Sequence, residues 1–562
     1  MSFKNEYDAI VVGSGITGGW AAKELTEKGL QVLLLERGPN VRHGTDYKTE
    51  HVKPWEFEYR GQGERKLYKE EYSIQSQCYA FGEATKHFFV NDKQNPYTHS
   101  ADKPFSWIRG YQLGGRSIMW ARQCYRLSDL DFEANARDSI AIDWPVRYKE
   151  IAPWYDYVEE FIGISGQAEG LAHLPDGKFQ PPMEMNCVEL AVKERIEKKY
   201  SDRMMTIGRT AVLTQPKPGR AACHYCGPCE RGCSTGSYFS SLSVTLPAAL
   251  VTNNLTIRPD SIVYSVIYDE SKDKATGVRV IDANTHDVFE FSARIIFLCA
   301  STLGTTQILL NSSTPRFSEG LANSSGALGH YLMDHTYASG AFGTIPGFED
   351  RYYSGRRPNG IYIPRFQNIT HQNPNYLRGY GFQGAASRLG WGRGMRMPGF
   401  GAEFKHALRE PGPWRMNLWG FGECLPRKEN YVELDGKEVD ACGIPILKIN
   451  CTWSENEKRI KKDASITAAE MLEASGAKDV VPTLEDTPPG LCIHEMGTVR
   501  MGNDPKTSVL NKHNQCHAIS NLFVTDGSFM TSSACQNPSL TYMAFTARAC
   551  NYAIAEMKRG NL

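Results

Sequence analysis

The stretch YDAIVVGSGITGGWAAKELTEKGLQVLLLE at residues 7–36 decides the fold, because it predicts strand, glycine turn, helix and strand in immediate succession. Residues 7–12 (YDAIVV) form a short β-branched run, and residues 31–36 (QVLLLE) have the apolar character of a buried strand. Between them, WAAKELTEKGL places apolar residues at helical spacing. Such a unit predicts the start of a parallel, doubly wound α/β sheet.

The turn carries a dinucleotide fingerprint. Gly13, Gly15 and Gly18 give G-x-G-x-x-G, and Glu36 ends the next strand 18 positions after Gly18. The glycines permit a tight turn, close approach of a pyrophosphate and close helix packing, while the helix N-terminus supplies N–H donors. Glu36 can accept hydrogen bonds from the ribose hydroxyls and would repel a 2′-phosphate, so NADP is disfavoured. FAD and NAD both stay open, and the expected contacts are Gly13, Ser14, Gly15, Thr17, Gly18 and Glu36.

Composition bounds the class of protein. The chain has 562 residues, of which 41% are apolar, enough for two or more buried domains. Lys plus Arg and Asp plus Glu each count 63, so no overall charge points to nucleic acid or an anionic membrane. No apolar run approaches the roughly 20 residues that span a bilayer, and the N-terminus shows no export signal, so we expect neither feature.

The nucleotide fold is expected to be discontinuous. Residues 295–310 (IIFLCASTLGTTQILL) repeat the pattern of strand, small-residue turn and helix far downstream of the fingerprint. Residues 341–480 change to Gly, Pro and aromatic residues with alternating strands such as ENYVEL and IPILKINCTW, which predicts a mostly antiparallel sheet. We assign 1–160, 215–340 and 481–562 to the nucleotide domain and 161–214 and 341–480 to an α+β substrate domain.

Five ordered blocks resemble the glucose-methanol-choline (GMC) oxidoreductase family. They are VVGSGITGG near the start, GYQLGGRSIMW (110–120), WPVRYKEIAPWYDYVEEFIGISG (144–166), GHYLMDH (329–335) and a C-terminal region containing HEMGTVRMG (494–502) and NLFVTDGSFMTSSACQNPSL (521–540). The resemblance implies the family's Rossmann-like FAD domain with an antiparallel substrate domain. It implies FAD as the dinucleotide, held also by Gly114, Gly115, Ser117, Met119, Asp526 and Gly527.

By the same resemblance, His494 and Asn537 are the catalytic pair. Oxidising an alcohol with a flavin requires a base for the hydroxyl proton, and the unperturbed histidine pKa of about 6.5 suits that task. Asn537 would hydrogen-bond the same oxygen without competing for the proton. In pyranose oxidases the stretch similar to GRSIMW carries a histidine that becomes attached to the flavin, whereas Met119 stands here, so we expect non-covalent FAD.

Residues 223–233 read CHYCGPCERGC, which places Cys223, Cys226, Cys229 and Cys233 as C-x2-C-x2-C-x3-C. This spacing matches the bacterial ferredoxin run except that Ser234 replaces its proline, and it favours an iron-sulfur cluster. Zinc is disfavoured because no second pair follows at the usual distance, and disulfides are disfavoured without an export signal.

Within the family, catalytic subunits of bacterial glucose, fructose and glucoside 3-dehydrogenase complexes are similar in spacing cysteines C-x5-C-x3-C around a three-iron, four-sulfur cluster. Cys223, Cys229 and Cys233 meet that pattern, and the extra Cys226 leaves a four-iron cluster open.

A cluster beside a flavin favours a dehydrogenase, and the resemblance implies one that oxidises a ring secondary hydroxyl of glucosides or disaccharides to a 3-keto sugar. Glucose, gluconate or fructose dehydrogenase and a pyranose-oxidase-like enzyme using oxygen or quinone are the alternatives, with a flavin-binding scaffold or electron-transfer subunit that has no substrate of its own as a third. The resemblance also implies a small subunit exported by a twin-arginine signal and a cytochrome c-type acceptor. The enzyme would then be periplasmic or membrane-associated through its partners, and cytoplasmic if it acts alone.

Overall fold

The computed structural model describes residues 5–53, 55–353 and 355–562. The strands in this part of the chain are β1 Glu6–Val12, β2 Val32–Leu35, β3 Thr98–His99, β4 Ile164–Ser165, β5 Phe179–Gln180, β6 Thr206–Ile207, β7 Leu255–Arg258, β8 Ser261–Asp269, β9 Lys274–Asp282, β10 Val288–Leu298, β11 Thr336–Ile345, β12 Ile361–Ile363, β13 Tyr380–Arg388, β14 Trp414–Gly422, β15 Tyr431–Val439, β16 Pro445–Asn450, β17 Lys478–Leu484 and β18 Leu522–Val524. The α-helices are α1 Ile16–Glu27, α2 Arg65–Glu71, α3 Asp129–Phe132, α4 Ala134–Asp138, α5 Tyr148–Ile162, α6 Cys187–Lys199, α7 Leu246–Leu250, α8 Thr302–Leu310, α9 Gly401–Arg409, α10 Glu455–Ala474 and α11 Ser539–Lys558.

The first sheet has seven strands and is parallel at its centre. Strand β1 lies between β2 and β10, β7 adds beyond β2, and the last residues of β10 pair with β18, all in parallel. The first residues of β10 pair instead with β9, which continues antiparallel to β8. The carboxyl ends of β1, β2, β10 and β18 therefore meet at one edge, where open α/β sheets bind their ligands.

This sheet is buried on both faces, which explains the uninterrupted apolar runs of its strands. Ala9 and Val11 pack in a core with Leu25 of α1 and Ala549 of α11. The alternate residues, such as Ile10, belong to a second core on the opposite face. The sequence prediction of an α/β fold with a strand, turn and helix at residues 7–27 is confirmed.

The second sheet has six strands in the order β17, β11, β14, β13, β12, β6, and its pairs are antiparallel. Alternate residues of β14 are buried, and Met416 and Leu418 pack with Ile460 and Ala464 of α10. The other face of β14 carries Trp419 and Phe421 towards a cavity. One face of the sheet thus builds a core, and the other builds a wall of the site.

Strands β15 and β16, the ENYVEL and IPILKINCTW segments, lie outside this six-stranded sheet. They pair with each other and, in parallel, with β3. Val432 and Leu447 pack with Trp107 and Leu303, which are residues of the expected nucleotide part. Pairing with a strand so distant in sequence leaves no local pattern, so the alternation predicted the strands but not their partner.

Two of the four expected domain boundaries fall inside strands. The boundary at 340/341 lies within β11, and the boundary at 480/481 lies within β17. Among the described residues, none of the helices combines the length and apolar character required to cross a bilayer.

Candidate functional site

A cavity of about 610 Å³ opens at the carboxyl edge of the parallel sheet and reaches the exposed face of β13 and β14. Most residues expected at the site line this cavity: Gly13, Ser14, Gly15, Thr17, Glu36, Gly115, Ser117, Met119, His494, Asp526, Gly527 and Asn537. Gly18 and Gly114 do not line the cavity. The expected cluster ligands Cys223, Cys229 and Cys233 line a separate pocket. The fold therefore brings together residues from both ends of the chain.

The three glycines of the fingerprint play different parts. Gly13 has φ +92°, which favours glycine. A Cβ on Gly18 would lie 1.8 Å from the Gly13 carbonyl oxygen, so Gly18 allows the helix to approach the turn without itself facing the cavity. A Cβ on Gly15 would meet nothing within 4 Å, because this glycine faces open space. That open space at the start of α1 fits a pyrophosphate.

Glu36 is buried at the end of β2 and holds the turn together. One of its oxygens accepts hydrogen bonds from the Ser14 amide at 3.0 Å and the Ser14 hydroxyl at 2.5 Å, and the other accepts one from the Gly38 amide at 3.0 Å. Burial raises the pKa of Glu36, and these hydrogen bonds oppose the shift. The second oxygen retains a lone pair for a ribose hydroxyl.

The loop 114–119 closes over the same turn. The Gly114 amide donates to the Ser14 hydroxyl at 2.8 Å, and Gly114 has φ +89°. The hydroxyl groups of Ser117 and Ser241 lie 2.9 Å apart, which joins the loop to the segment before α7. Gly114 therefore shapes the loop rather than lining the cavity, and Met119, which does line it, offers no nucleophile. The cradle fits a dinucleotide bound without a covalent link.

The loop 490–494 places His494 in the cavity because Asp334 anchors it. The buried Asp334 carboxylate accepts hydrogen bonds from the backbone amides of Gly490 at 2.8 Å, Cys492 at 3.2 Å and His494 at 3.1 Å. Asp334 directly precedes His335, so both groups come from the residues just before β11.

A chain of hydrogen bonds sets the tautomer of His494. His335 Nε2 lies 3.3 Å from the Ser533 carbonyl oxygen, which can only accept, so Nε2 carries the proton. Burial lowers the pKa of His335 to about 4, so this ring is neutral and its Nδ1 is an acceptor. His494 Nδ1, 2.9 Å away, must then donate. In neutral His494 the lone pair consequently lies on Nε2.

Asn537 lies beside that lone pair. Its Nδ2 is 3.4 Å from His494 Nε2, while its Oδ1 accepts a hydrogen bond from Gln383 Nε2 at 2.6 Å. Gln383 thereby fixes which end of the Asn537 amide faces the histidine. A substrate hydroxyl in this position would find an acceptor for its proton and an amide that orients its oxygen.

The surroundings favour neutral His494. Burial, the neighbouring His335 and Arg116 all lower the pKa of His494 well below its usual 6.5. Arg116, in the expected flavin loop, forms an ion pair of 2.8 Å with the buried Glu495. At neutral pH the base is therefore ready to accept a proton.

The four cysteines of residues 223–233 line one small pocket that Tyr238 and Pro358 help to close. All 15 cysteines are free thiols. Burial acts to raise the pKa of Cys233, but hydrogen bonds from Ser237 and Thr235 outweigh it and lower the pKa, which favours a thiolate. No three loop sulfurs lie mutually within 4.8 Å, as one tetrahedral ion would require. A multi-iron cluster spaces its ligands more widely, so this distance criterion applies to a single ion and leaves the cluster a prediction.

Sequence reasoning missed three residues of this site, Asp334, His335 and Gln383. The first two lie in the block GHYLMDH, which resembled the family as a whole but gave neither residue a role. Gln383 lies in β13, where burial does not alternate from residue to residue, so the pattern gave this side chain no role. Only the packing shows that Asp334 and His335 contact His494 and that Gln383 contacts Asn537.

The two glycines of the turn allow a matched test of the cradle. We expect Gly15→Ala to leave the apoprotein as stable as wild type but to weaken FAD binding, because its methyl group enters the cofactor space. Gly18→Ala should destabilise the apoprotein by about 1–3 kcal/mol or more, because the methyl group overlaps a carbonyl oxygen. Thermal unfolding with and without FAD measures both, and equal behaviour of the variants would contradict the assignment.

We expect His494→Ala to slow flavin reduction by about 10²- to 10⁴-fold with FAD still bound, since a general base is worth that much. Asn537→Ala should slow flavin reduction less than His494→Ala, because it removes a group that orients the substrate oxygen and leaves the proton acceptor in place. Stopped-flow flavin reduction measures both. A His494→Ala enzyme of near wild-type rate would leave that histidine a structural residue.

The pH profile tests the pair of histidines. Reduction needs the neutral base, so its rate should rise with pH through a pKa below 6.5 and reach a plateau at neutral pH. His335→Ala removes a neighbour that lowers the pKa of His494, so the rise in the rate of flavin reduction should move to higher pH. A rise that stays in place in His335→Ala would show that His335 does not tune the base.

Family models described as GMC oxidoreductase match residues 7–337 and 426–546. A 2-methyl-1,2-propanediol dehydrogenase of Mycolicibacterium austroafricanum is 28% identical over 98% of this chain and 95% of its own length. The fructose dehydrogenase large subunit of Gluconobacter japonicus is 25% identical over 98% of both chains. The structure of pyridoxine 4-oxidase from Mesorbium loti superposes with a TM-score of 0.61 at 17% identity, over 98% of this chain and 99% of that one. The chain therefore belongs to the GMC oxidoreductase family and is an FAD-dependent oxidoreductase that acts on an alcohol group.

Proposed function

We propose that the chain is a dehydrogenase that oxidises a ring secondary hydroxyl of a sugar, at C3 of a glucoside or disaccharide, and passes the electrons through an iron-sulfur cluster to a cytochrome-type acceptor. The observation that carries the proposal is the four-cysteine pocket directly beside the cavity of the His494–Asn537 pair. An oxidase, which returns its electrons to oxygen at the flavin, has no use for such a pocket.

The cavity has the character of a sugar site. Trp419 and Phe421 offer aromatic faces, and polar groups surround them. Arg122, Gln123 and Asn359 line the same cavity, and polar side chains of this kind match a ligand that carries several hydroxyl groups.

The chain's own residues account for the proton. His494 Nε2 takes the hydroxyl proton as the carbonyl forms, while Asn537 holds the oxygen and Gln383 holds Asn537. FAD, when bound, accepts the hydride from the carbon, so the alcohol loses two electrons and two hydrogens in all. The low pKa of His494 lets the proton leave again at neutral pH.

The cysteine loop touches the cavity at several points. Pro358 lines both the cavity and the cysteine pocket, and Glu230, next to Cys229, lines the cavity. Arg122 of the cavity wall donates a hydrogen bond of 3.2 Å to the Cys229 carbonyl oxygen. An iron-sulfur cluster, when bound in the loop, would take up electrons singly at short range from the flavin site.

The relatives support this class of substrate and leave one second candidate. Two relatives carry the names fructose dehydrogenase large subunit and gluconate 2-dehydrogenase flavoprotein, the latter from Pantoea cypripedii at 23% identity. The relative at 28% identity is named for a small diol, 2-methyl-1,2-propanediol, which makes a small-diol dehydrogenase the second candidate. A small Tat-exported subunit, a cytochrome c-type partner and a periplasmic location complete the proposal.

The substrate proposal is tested by anaerobic bleaching of bound FAD. We expect methyl glucosides and disaccharides to reduce the flavin faster than glucose, gluconate, fructose or 2-methyl-1,2-propanediol, because the polar wall matches several hydroxyls at once. NMR of the product should show a 3-keto sugar. A ketone or acid at another carbon would show that the enzyme oxidises that carbon and not C3. Bleaching by the diol alone would favour the second candidate, a small-diol dehydrogenase.

The relay is tested by separating the half-reactions. Cys229→Ser should leave sugar reduction of the flavin intact while turnover with a cytochrome acceptor falls by about 10²-fold or more, because the electrons lose their exit. Cys226→Ser is the matched control and should keep turnover if three cysteines suffice. Metal analysis should find iron, near three per chain in the three-iron case. Zinc, or equal loss of both half-reactions in Cys229→Ser, would contradict the relay.

A further inference from the structure

Residues 389–412, between β13 and β14, form a lobe that stands out from the six-stranded sheet. Its base is closed by a hydrogen bond of 3.0 Å from the Leu389 amide to the Pro413 carbonyl oxygen. A short helical turn at Trp391–Met395 and the helix α9 make up the rest. Neither of these two helical elements contains a fully buried residue. The lobe is thus an exposed addition to the sheet.

The lobe is held in shape by its own residues. The Arg393 guanidinium donates to the carbonyl oxygens of Ala407 at 2.9 Å and Glu410 at 2.6 Å, which ties the first turn to the end of α9. Phe404 and Leu408 of α9 are half-buried and lie against Gly394, where a Cβ would come within 3.3 Å of Phe404 and 2.9 Å of Leu408. Leu389 and Met397 are half-buried in the same lobe.

Three further large apolar side chains are left out of that core. Trp391 is 80% exposed, Met395 is 83% exposed and Phe400 is 93% exposed. They lie within ten residues of one another in the sequence of the lobe. Grouped apolar residues of this kind on a structured surface element mark an interaction site.

The charge of the lobe indicates what the site meets. Residues 389–412 contain four Lys or Arg residues and two Glu, while the whole chain has no net charge. Residues at its base, Glu349, Asp350, Arg351 and Arg388, add two charges of each sign. An aromatic and methionine tip with surrounding cations is the composition of elements that lie in the interface of an anionic bilayer. Two positive lobes would repel each other, which disfavours a second copy of the chain as occupant.

We propose that the lobe of residues 389–412 docks the enzyme on the surface of a membrane that contains anionic lipid, with Trp391, Met395 and Phe400 entering the headgroup region and Arg396, Lys405 and Arg409 facing the lipid phosphates. The attachment is peripheral and reversible. It does not depend on the identity of the sugar or on the cluster.

The lobe lies away from the chemistry on the same two strands. Gln383 and Trp419 of the cavity wall pair with each other, and the strands run five positions further to Arg388 and Trp414 before the lobe begins. At about 3.4 Å per residue this is about 17 Å. Changes at the lobe tip should therefore alter membrane binding without altering flavin reduction.

Co-sedimentation of the FAD-loaded full chain with vesicles tests the proposal. We expect binding to phosphatidylcholine vesicles with about 30% phosphatidylglycerol, at least tenfold less binding to phosphatidylcholine alone, and loss of binding at high salt. The double variant Trp391→Ser, Phe400→Ser should bind at least tenfold less, and Arg396→Glu, Lys405→Glu should lose the preference for anionic vesicles. Trp55→Ser, which changes a tryptophan 74% exposed outside the lobe, is the matched control and should bind as wild type.

Each variant is checked for an unchanged rate of flavin reduction by substrate, which shows that the fold and site are intact. Absence of vesicle binding in the wild type, or equal binding by the double variant, would overturn the proposal. A wild-type dimer that the double variant converts to a monomer, measured by light scattering without vesicle binding, would assign the lobe to a second copy of the chain instead.

Discussion

One buried carboxylate, Asp334, determines where the base lies. It accepts three backbone hydrogen bonds from the loop 490–494, so the C-terminal region that carries His494 is fastened to the residues preceding β11. Reciprocal backbone hydrogen bonds of 2.9 Å between Met333 and Met496 extend the same junction. Burial and the nearby Glu495 raise the pKa of Asp334 to about 7, and hydrogen bonds from the backbone amides of His494, Gly490 and His335 oppose that shift by stabilising the ionised form. Because His335 follows directly, one short segment both places the base and fixes its tautomer.

The sequence predicts the parts of the fold and site that depend on local pattern, and misses those that depend on distant packing. Gly13, Gly15 and Glu36 are readable because turn, helix start and strand end occur in register within one short stretch. His335 was not predicted to act, since one histidine in an apolar segment carries no sign of which ring it will meet. The pairing of β16 with β3 was missed for the same reason, as the partner strand is only two residues long and far away in sequence. Of the expected cofactor contacts, Gly18 and Gly114 do not line the cavity and instead shape the backbone around it. The glycine pattern alone does not distinguish a glycine that lines the cavity from one that shapes the backbone.

The cysteine loop shows how spacing and packing complement each other. Spacing alone leaves zinc, disulfide and cluster as alternatives, because each uses several cysteines in a short loop. In the structure the 15 cysteines are free thiols, and packing gives Cys233 hydrogen bonds that favour its thiolate. Packing also places Pro358 between the loop and the cavity, which no spacing predicts. The position of the loop beside the cavity, more than its sequence pattern, is what supports the proposed relay.

Strands β13 and β14 lead to two separate places, so the local charge of each place has to be considered beside the charge of the whole chain. Near one end they carry Gln383 and Trp419 into the cavity, and at the other they carry the lobe of residues 389–412. Equal numbers of acidic and basic residues argued against an anionic membrane for the chain as a whole. Charges further apart than about 10 Å are largely screened at ordinary ionic strength, however, so the lobe's own excess of cations governs what its surface meets. A neutral protein can therefore present a basic, apolar lobe on the far end of the strands that hold its substrate wall, and we expect the proposed docking to be independent of the chemistry because a stretch of regular sheet separates the two places.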